Sequence, residues 1–376
     1  MNVLHLIGTG EFAGTEQMVI TICEGQAKCG HRVFVATRPK ARVRQFLKDA
    51  GVTVIEATIG GLFAPLGIAK FCREAGVEIL HAHLTSGTHI ANAVSYLTGT
   101  PVIDHLHVYS PDLGHKVAAK RGALIAVSEH TKRYYVEENK ISPHRIHTVP
   151  NGSNVLGDPD AQLSRETARR VLMEELRLQG DVRFIVQTAR ITAQKGQDLL
   201  VEAADIVVAK HPDAHFLLVG AADDTDFAEG VRQQVIDRNL SGRVHFLGFR
   251  RDIVKLLRAA HVAAIPSRFD PFPLAALEPF LVGTPIVAAK VGGIPELIAN
   301  PEWGTLVKED DAPALAEGII SHLDDEARSR RMGDAAQEWA RGEYSVEAMI
   351  RKIDTVYASV ARPRGAQSTS ESRRGQ

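Results

Sequence analysis

Cysteine is scarce: Cys23, Cys29 and Cys72 are the three in 376 residues, an odd number with no CxxC spacing. That excludes a disulfide framework or a cysteine zinc site and favours a reducing compartment. No stretch approaches the roughly 18 consecutive apolar residues that a membrane-crossing helix requires. The N-terminus, MNVLHLIGTG, lacks a basic n-region, and its apolar run is too short for a signal peptide. Charge of one sign is lacking too: the net value is −1, so nothing global points to nucleic acid. Together these absences predict a cytoplasmic protein, soluble or peripheral at the inner face of a membrane. The balance is uneven, however. Residues 1–150 carry 16 Lys and Arg against 12 Asp and Glu, a net +4 that leaves −5 for the remainder. A mildly basic first half suits an anionic ligand or surface.

What is present reads as two domains, since a single core stops growing beyond roughly 250–300 residues. Apolar content of 44% and charged content of 24% are those of an ordinary globular protein. Short apolar or β-branched runs alternate with amphipathic stretches, the pattern of βαβ units and a parallel sheet. Strands are expected at 2–7, 32–36, 53–55, 79–83, 102–107, 124–127 and 145–149. A Pro-Asn-Gly-Ser-Asn turn then precedes a second series at 183–189, 215–220, 244–249, 262–266, 285–289 and 305–307. The fold class is α/β, with two doubly wound parallel sheets: a first domain over 1–152 and a second over 153–344. Two helices are expected in 326–361, interrupted near Arg341-Gly342. The segment 345–361 is expected to cross back to the first domain, and the Ser, Gly and Arg-rich 362–376 to be a disordered tail.

Three stretches carry chemistry. Gly8-Thr-Gly-Glu-Phe-Ala-Gly14-Thr15-Glu16 follows the first strand and opens a helix, where glycines let backbone N–H groups approach a phosphate. Its GxGxxxG spacing is one residue too long for the dinucleotide fingerprint, and the second strand ends at Thr37-Arg38 rather than at an acid, so NAD is not expected. Arg190 at the end of a strand and Lys195 one loop later bring two cations to the mouth of the second sheet, a clamp suited to a diphosphate. Residues 261–297, HVAAIPSRFDPFPLAALEPFLVGTPIVAAKVGGIPEL, place Asp270 in a turn and Glu278 eight residues on, two turns up the following helix. Ligands of such sheets bind beyond the carboxyl ends of the strands.

Histidine is concentrated in the first half, 11 of 16. His81 and His83 end one expected strand, His105 and His107 the next, each pair on one strand face. Four imidazoles can in principle hold zinc, but the spacing is common at a polar cleft and no acid cluster offers a second shell, so no metal is expected. Asp223-Asp-Thr-Asp226 reads as a helix N-cap with first-turn acids rather than a metal motif. The segment from Arg38 to Lys48 mixes five cations with Val43, Phe46 and Leu47 at helical spacing. It reads as a solvated helix with its apolar stripe inward, the alternative being a helix lying on an anionic membrane.

The acid pair resembles the signature of the retaining, nucleotide-sugar-dependent glycosyltransferases of family 4, in which the turn usually begins Glu-Gly-Phe-Gly. Here it reads Asp270-Pro-Phe-Pro-Leu-Ala-Ala-Leu-Glu278. The run Ala189-Arg190 to Lys195-Gly196 is similar to that family's Gly-Arg-x-x-x-x-Lys-Gly, and Gly14-Thr15-Glu16 to its Gly-Gly-x-Glu turn. The resemblance covers about residues 1–360 and implies the GT-B architecture: two Rossmann-like domains facing a cleft, closed by C-terminal helices. It implies that the Gly14 and Thr15 amides, Arg190 and Lys195 meet the donor diphosphate, and that Glu278 accepts hydrogen bonds from the ribose hydroxyls. Gly220 would lie beneath the nucleotide and the loop at Phe249 beside the base. Asp270, His107 and the turn at Phe272 and Leu274 would face the donor sugar. Pro271 and Pro273 remove two amide donors from that turn, which moves the burden of sugar recognition to side chains such as Asp270.

The function so implied is transfer of a sugar from a nucleoside diphosphate to an acceptor hydroxyl on a glycan, a lipid-linked acceptor or a small molecule, with retention and without a cofactor or metal. A nucleotide-sugar 2-epimerase of the same fold, and a catalytically silent binding partner, are the alternatives.

Overall fold

The computed structural model describes residues 1–8, 14–38, 43–55, 59, 61 and 63–361. The expected tail at 362–376, Gly10 of the first loop and residues 39–42 of the basic segment lie outside the described residues.

The first sheet consists of β1 (Asn2–Ile7), β2 (Arg32–Thr37), β3 (Thr53–Val54), β4 (Ile79–His83), β5 (Val102–Leu106), β6 (Gly122–Ala126) and β7 (Ile146–Thr148). The second consists of β8 (Arg183–Thr188), β9 (Ala214–Val219), β10 (Val244–Gly248), β11 (Val262–Ile265), β12 (Ile286–Ala289) and β13 (Thr305–Val307). Strand orders are β3-β2-β1-β4-β5-β6-β7 and β10-β9-β8-β11-β12-β13. The strand pairs are parallel. Helices cover both faces, so strands such as β11, Val-Ala-Ala-Ile, are buried throughout and read as continuous apolar runs rather than alternating ones. Expected strand ends fall within about two residues of the observed ones, the usual uncertainty of frayed termini.

Strand alternation divides the first sheet. Leu4, Leu6, Leu80, Ala82 and Leu106 pack against Ile68, Ala69, Ala91, Val94 and Ala118 on one side. On the other, Val3, Ile79 and Ile103 meet Met18 and Ile22 together with Met349, Ile350, Ile353 and Tyr357 of the helix Val346–Val360. Burying each such side chain contributes roughly 1.5–3 kcal/mol. The C-terminal helix is thereby tied to a sheet some 200 residues or more before it in sequence. The two helices expected in 326–361 are present, and the break between them lies just beyond Arg341-Gly342, which stay inside the helix Glu326–Glu343. It falls at Tyr344-Ser345, where the Ser345 hydroxyl accepts from the Ala348 N–H and starts a new helix.

In the described part of the basic segment, Val43 and Leu47 are fully buried. The apolar stripe of the helix Val43–Asp49 therefore faces the protein interior.

Candidate functional site

In each sheet the strand order reverses beside the first strand, between β1 and β4 and between β8 and β11. Loops leaving adjacent strands there diverge to opposite faces and open a crevice. The two crevices face one another across a cleft with two adjoining chambers. The larger, about 750 Å³, is lined by Gly14, Arg190, Gly220, Phe249 and Glu278. The smaller, about 320 Å³, is lined by Thr15, His107, Lys195, Asp270, Phe272 and Leu274. Gly14, Met18, Arg190, Leu274 and Ala275 border both.

Lys195 Nζ lies 2.5 Å from Asp270 Oδ2, an ion pair between residues 75 positions apart. The sequence places both at the cleft but does not pair them. Their meeting follows from β8 lying beside β11, so the loops after these strands touch. Gly196 has φ +68°, and a Cβ on it would lie 2.2 Å from the Pro266 carbonyl oxygen. The loop carrying Lys195 therefore needs glycine at that point. Gln187 Nε2 donates to the Lys195 carbonyl at 2.7 Å and holds the loop down. On the other side, Gly292 has φ +54° and a Cβ there would lie 1.7 Å from the Asp270 carbonyl oxygen. The glycines at 292 and 293 thus let the Asp270 turn settle on the end of β12. Asp270 is 5% exposed. Burial pushes its carboxyl up from the ordinary value, and the Lys195 ammonium pulls it back.

Arg190 is also not a free cation. Its guanidinium donates to Asp223 at 3.0 Å in a half-exposed pair. Such exposed pairs are worth about 0–1 kcal/mol, so an incoming anion can displace Asp223. Next to it Asp224 caps the helix Thr225–Asp237 by accepting from the Phe227 N–H, and Asp226 lies in its first turn.

Glu278 is half-buried on the helix Leu274–Val282. Among the described residues it has no hydrogen-bond or ion-pair partner. Burial pushes its carboxyl up to about 7. A carboxylate in that position gains by accepting hydrogen bonds from the hydroxyls of a ligand. The helix begins at Leu274, where the two chambers meet, so its first free N–H groups and the positive end of its dipole bear on the junction. Pro271 and Pro273 contribute carbonyls rather than amides: Ser128 Oγ donates to the Pro271 oxygen at 2.9 Å, and Pro273 serves as N-cap.

His107 is 9% exposed, at the wall of the smaller chamber, with Nε2 2.9 Å from His83 Nδ1. Phe272 lines the smaller chamber. It is 5% exposed, and its ring packs on that of Tyr344 with centroids 5.7 Å apart. Phe249 is 60% exposed at the rim of the larger one. The backbone N–H of Gly220 is spent on the Gly248 carbonyl at 2.9 Å. Sequence reasoning missed the bridges that seat the two halves. Asn151 Nδ2 donates to the Phe272 carbonyl at 3.0 Å. Glu296 accepts from the Glu129 and His130 N–H groups at 2.8 and 2.7 Å. No local pattern announces such pairs.

The comparisons agree with this geometry. A model described as Glycosyl transferases group 1 matches residues 168–339, and one described as Glycosyltransferase Family 4 matches residues 12–155. The D-inositol 3-phosphate glycosyltransferase of Corynebacterium glutamicum is 30% identical over 397 residues, covering 93% of this chain and 92% of its own. A GDP-mannose-dependent monoacylated alpha-(1-6)-phosphatidylinositol monomannoside mannosyltransferase of the same species is 28% identical over 66% of this chain and 65% of its own. Among solved structures, Anabaena HepE in complex with UDP-glucose superposes with a TM-score of 0.86 at 23% identity, covering 96% of this chain and 100% of its own.

Proposed function

The chain belongs to the family 4 glycosyltransferases of the group 1 type, and on that premise we propose that it moves a sugar from a nucleoside diphosphate to an acceptor hydroxyl with retention of configuration. The observation that carries this is Glu278: a half-buried carboxylate with no hydrogen-bond or ion-pair partner among the described residues, facing a chamber large enough for a nucleoside, with Arg190 at the junction to a second chamber that holds Lys195, Asp270 and His107. The nucleoside fills the larger chamber, with its ribose hydroxyls on Glu278. The diphosphate crosses the junction, and the sugar occupies the smaller chamber. As the glycosidic bond breaks, negative charge grows on the diphosphate, where Arg190, Lys195 and the N-terminus of the helix Leu274–Val282 stabilise it. The leaving phosphate oxygen takes the acceptor proton on the same face, so neither a protein nucleophile nor a metal is required.

The two relatives named above act, by their names, on an inositol phosphate and on a phosphatidylinositol mannoside. An inositol-type polyol hydroxyl, free or lipid-linked, is therefore the first acceptor class to test. Support for a lipid-linked acceptor comes from the first domain. Leu66 and Tyr96 stand exposed on the helices Ala64–Ala75 and Leu84–Thr98, and Phe63 and Leu113 at the N-caps of Ala64–Ala75 and Gly114–Arg121, the two helices that carry Lys70, Arg73 and Arg121. No helix among the described residues is long and apolar enough to cross a membrane.

The test is incubation with UDP-, GDP- and ADP-sugars, with and without inositol phosphates, following released diphosphate and the anomeric configuration of the product. One donor class is expected to give a retained product, and turnover should persist in excess EDTA. An inverted anomer, loss of activity on chelation restored by Mn²⁺, or an epimerised sugar without acceptor would each remove a part of this reading.

A further inference from the structure

Behind His107 lies a continuous hydrogen-bonded chain of seven residues. His5, His81, His83 and His105 are 0–1% exposed, and Gln26 and Tyr357 are fully buried. From one end, His105 Nδ1 is 3.2 Å from His81 Nε2, and His81 Nδ1 is 2.5 Å from the Tyr357 hydroxyl. Gln26 Nε2 donates to that hydroxyl at 2.8 Å, while Gln26 Oε1 is 2.8 Å from His5 Nε2. His5 Nδ1 then lies 2.9 Å from His83 Nε2, and His83 Nδ1 lies 2.9 Å from His107 Nε2. The sheet register makes the chain: β1 places His5 opposite His81, and β4 places His83 opposite His105, so diagonal neighbours lie edge to edge.

Burial disfavours charge on all five imidazoles, bringing His5 to about 4 and His107 to about 3. Each ring is therefore neutral and offers one donor and one acceptor. In a chain of such rings every proton must point the same way. A carbonyl oxygen only accepts, so Gln26 Oε1 requires the proton on His5 Nε2. His5 Nδ1 is then bare and requires the proton on His83 Nε2. His83 Nδ1 is bare in turn and requires the proton on His107 Nε2. That leaves His107 Nδ1 as a lone pair, with no partner among the described residues, at the wall it shares with Lys195 and Asp270. The other branch ends at His105 Nε2, buried and without a hydrogen-bond partner among the described residues.

We propose that Gln26, His5 and His83 are positioning residues that hold the His107 proton on Nε2 and present His107 Nδ1 to the smaller chamber as the acceptor for a substrate sugar hydroxyl. The role in transfer rests on the proposed function; the chain and its direction do not. Two trios of these residues, His5-His81-His83 and His83-His105-His107, bring ligand nitrogens within 4.8 Å of one another. A metal at either would have to take lone pairs that the chain already uses, and so break it.

The experiment is nitrogen NMR on the full chain with ¹⁵N-labelled imidazoles, in which bare and protonated ring nitrogens are distinct, His107 being assigned with His107→Asn. In wild type, His107 should show a bare Nδ1 and a protonated Nε2. Gln26→Leu should populate both tautomers and lower kcat by about tenfold to a hundredfold, the scale for losing a partner that orients a functional histidine. Affinity for the free nucleoside diphosphate should stay within about twofold, because Glu278, Arg190 and Lys195 are untouched. Gln26→Glu keeps an oxygen facing His5 and should retain the tautomer and most of the turnover, even with a lower Tm. A protonated Nδ1 in wild type, or an unchanged tautomer in Gln26→Leu, overturns the proposal. So does a single equivalent of Zn²⁺ that shifts three of these imidazoles together, which would make the cluster a metal site. If no nucleotide sugar is turned over, the proposed function fails while the wild-type tautomer still decides the chain.

Discussion

Lys195→Ala is expected to lose activity and stability together. Lys195 sits 2.5 Å from the buried Asp270 carboxylate. Deleting one partner of a buried pair leaves an uncompensated charge, at a penalty of roughly 3–5 kcal/mol. It is the burial of Asp270 that adds a loss of melting temperature to the expected loss of rate. Turnover should fall about tenfold to a thousandfold if the ammonium also stabilises the developing diphosphate charge. The double variant Lys195→Ala/Asp270→Ala should regain much of the lost Tm, because no orphan charge remains, yet recover none of the rate. Arg190→Ala offers the contrast: it is half-exposed and paired with Asp223 at the surface. It should slow turnover by about tenfold while leaving Tm within error. Calorimetric melting and steady-state rates on the four proteins separate these outcomes. A Lys195→Ala enzyme with wild-type Tm and rate would dismiss both the pair and the clamp.

Glu278→Ala should weaken the nucleotide itself. Two ribose hydroxyls donating to one carboxylate are worth about 1.5–3 kcal/mol each, so the dissociation constant for the free nucleoside diphosphate should rise about a hundredfold or more. Asp270→Ala should lower turnover with that affinity nearly unchanged. Titration calorimetry distinguishes the two acids; the reverse pattern would mean that their roles are exchanged. The carboxyl of Glu278, pushed up to about 7 by burial, adds a pH signature. Its accepting, ionised form grows as pH rises through 7, so nucleotide affinity should increase across that range and flatten in Glu278→Gln. Stability runs the other way. Between the ordinary glutamate value of 4.5 and about 7, the folded state holds a proton that the unfolded state has released. Folding stability therefore falls as pH rises through this window. Glu278→Gln should melt higher than wild type above pH 7 and equal it below 4.5. Parallel melting curves at all pH values would show that the carboxyl is not perturbed.

Much of the architecture was legible in the chain because its signals are local. The apolar run of β11, the proline-marked turn at 271–273 and the glycines at 292–293 lie within a few residues of the structure they specify. Turn chemistry and strand period act at that range. The spacing of Asp270 and Glu278 likewise survives, since the helix Leu274–Val282 carries one acid's neighbourhood to the next chamber. The break expected near 341–342 lies just beyond that point for a reason of the same kind. A glycine in a helix weakens it only by about 1 kcal/mol, and packing of Ala336 and Ala340 in the core outweighs that, while the Ser345 cap sets the true boundary.

By itself, then, the sequence determined two doubly wound parallel sheets, the glycine loop and cations at their mouths, and an acid pair of the family 4 type, because each depends on residues close together in the chain. Tertiary structure alone decided which groups share a partner. Lys195 meets Asp270 because β8 lies beside β11. Arg190 meets Asp223, and Glu278 has no hydrogen-bond or ion-pair partner among the described residues. His5, which no local pattern singled out, joins Gln26, His83 and His107 to Tyr357, more than three hundred positions away in the chain. Those contacts depend on strand order and register across crossovers of tens of residues. Linear spacing carries no trace of them, because a crossover fixes which strands are neighbours without constraining the residues that later touch.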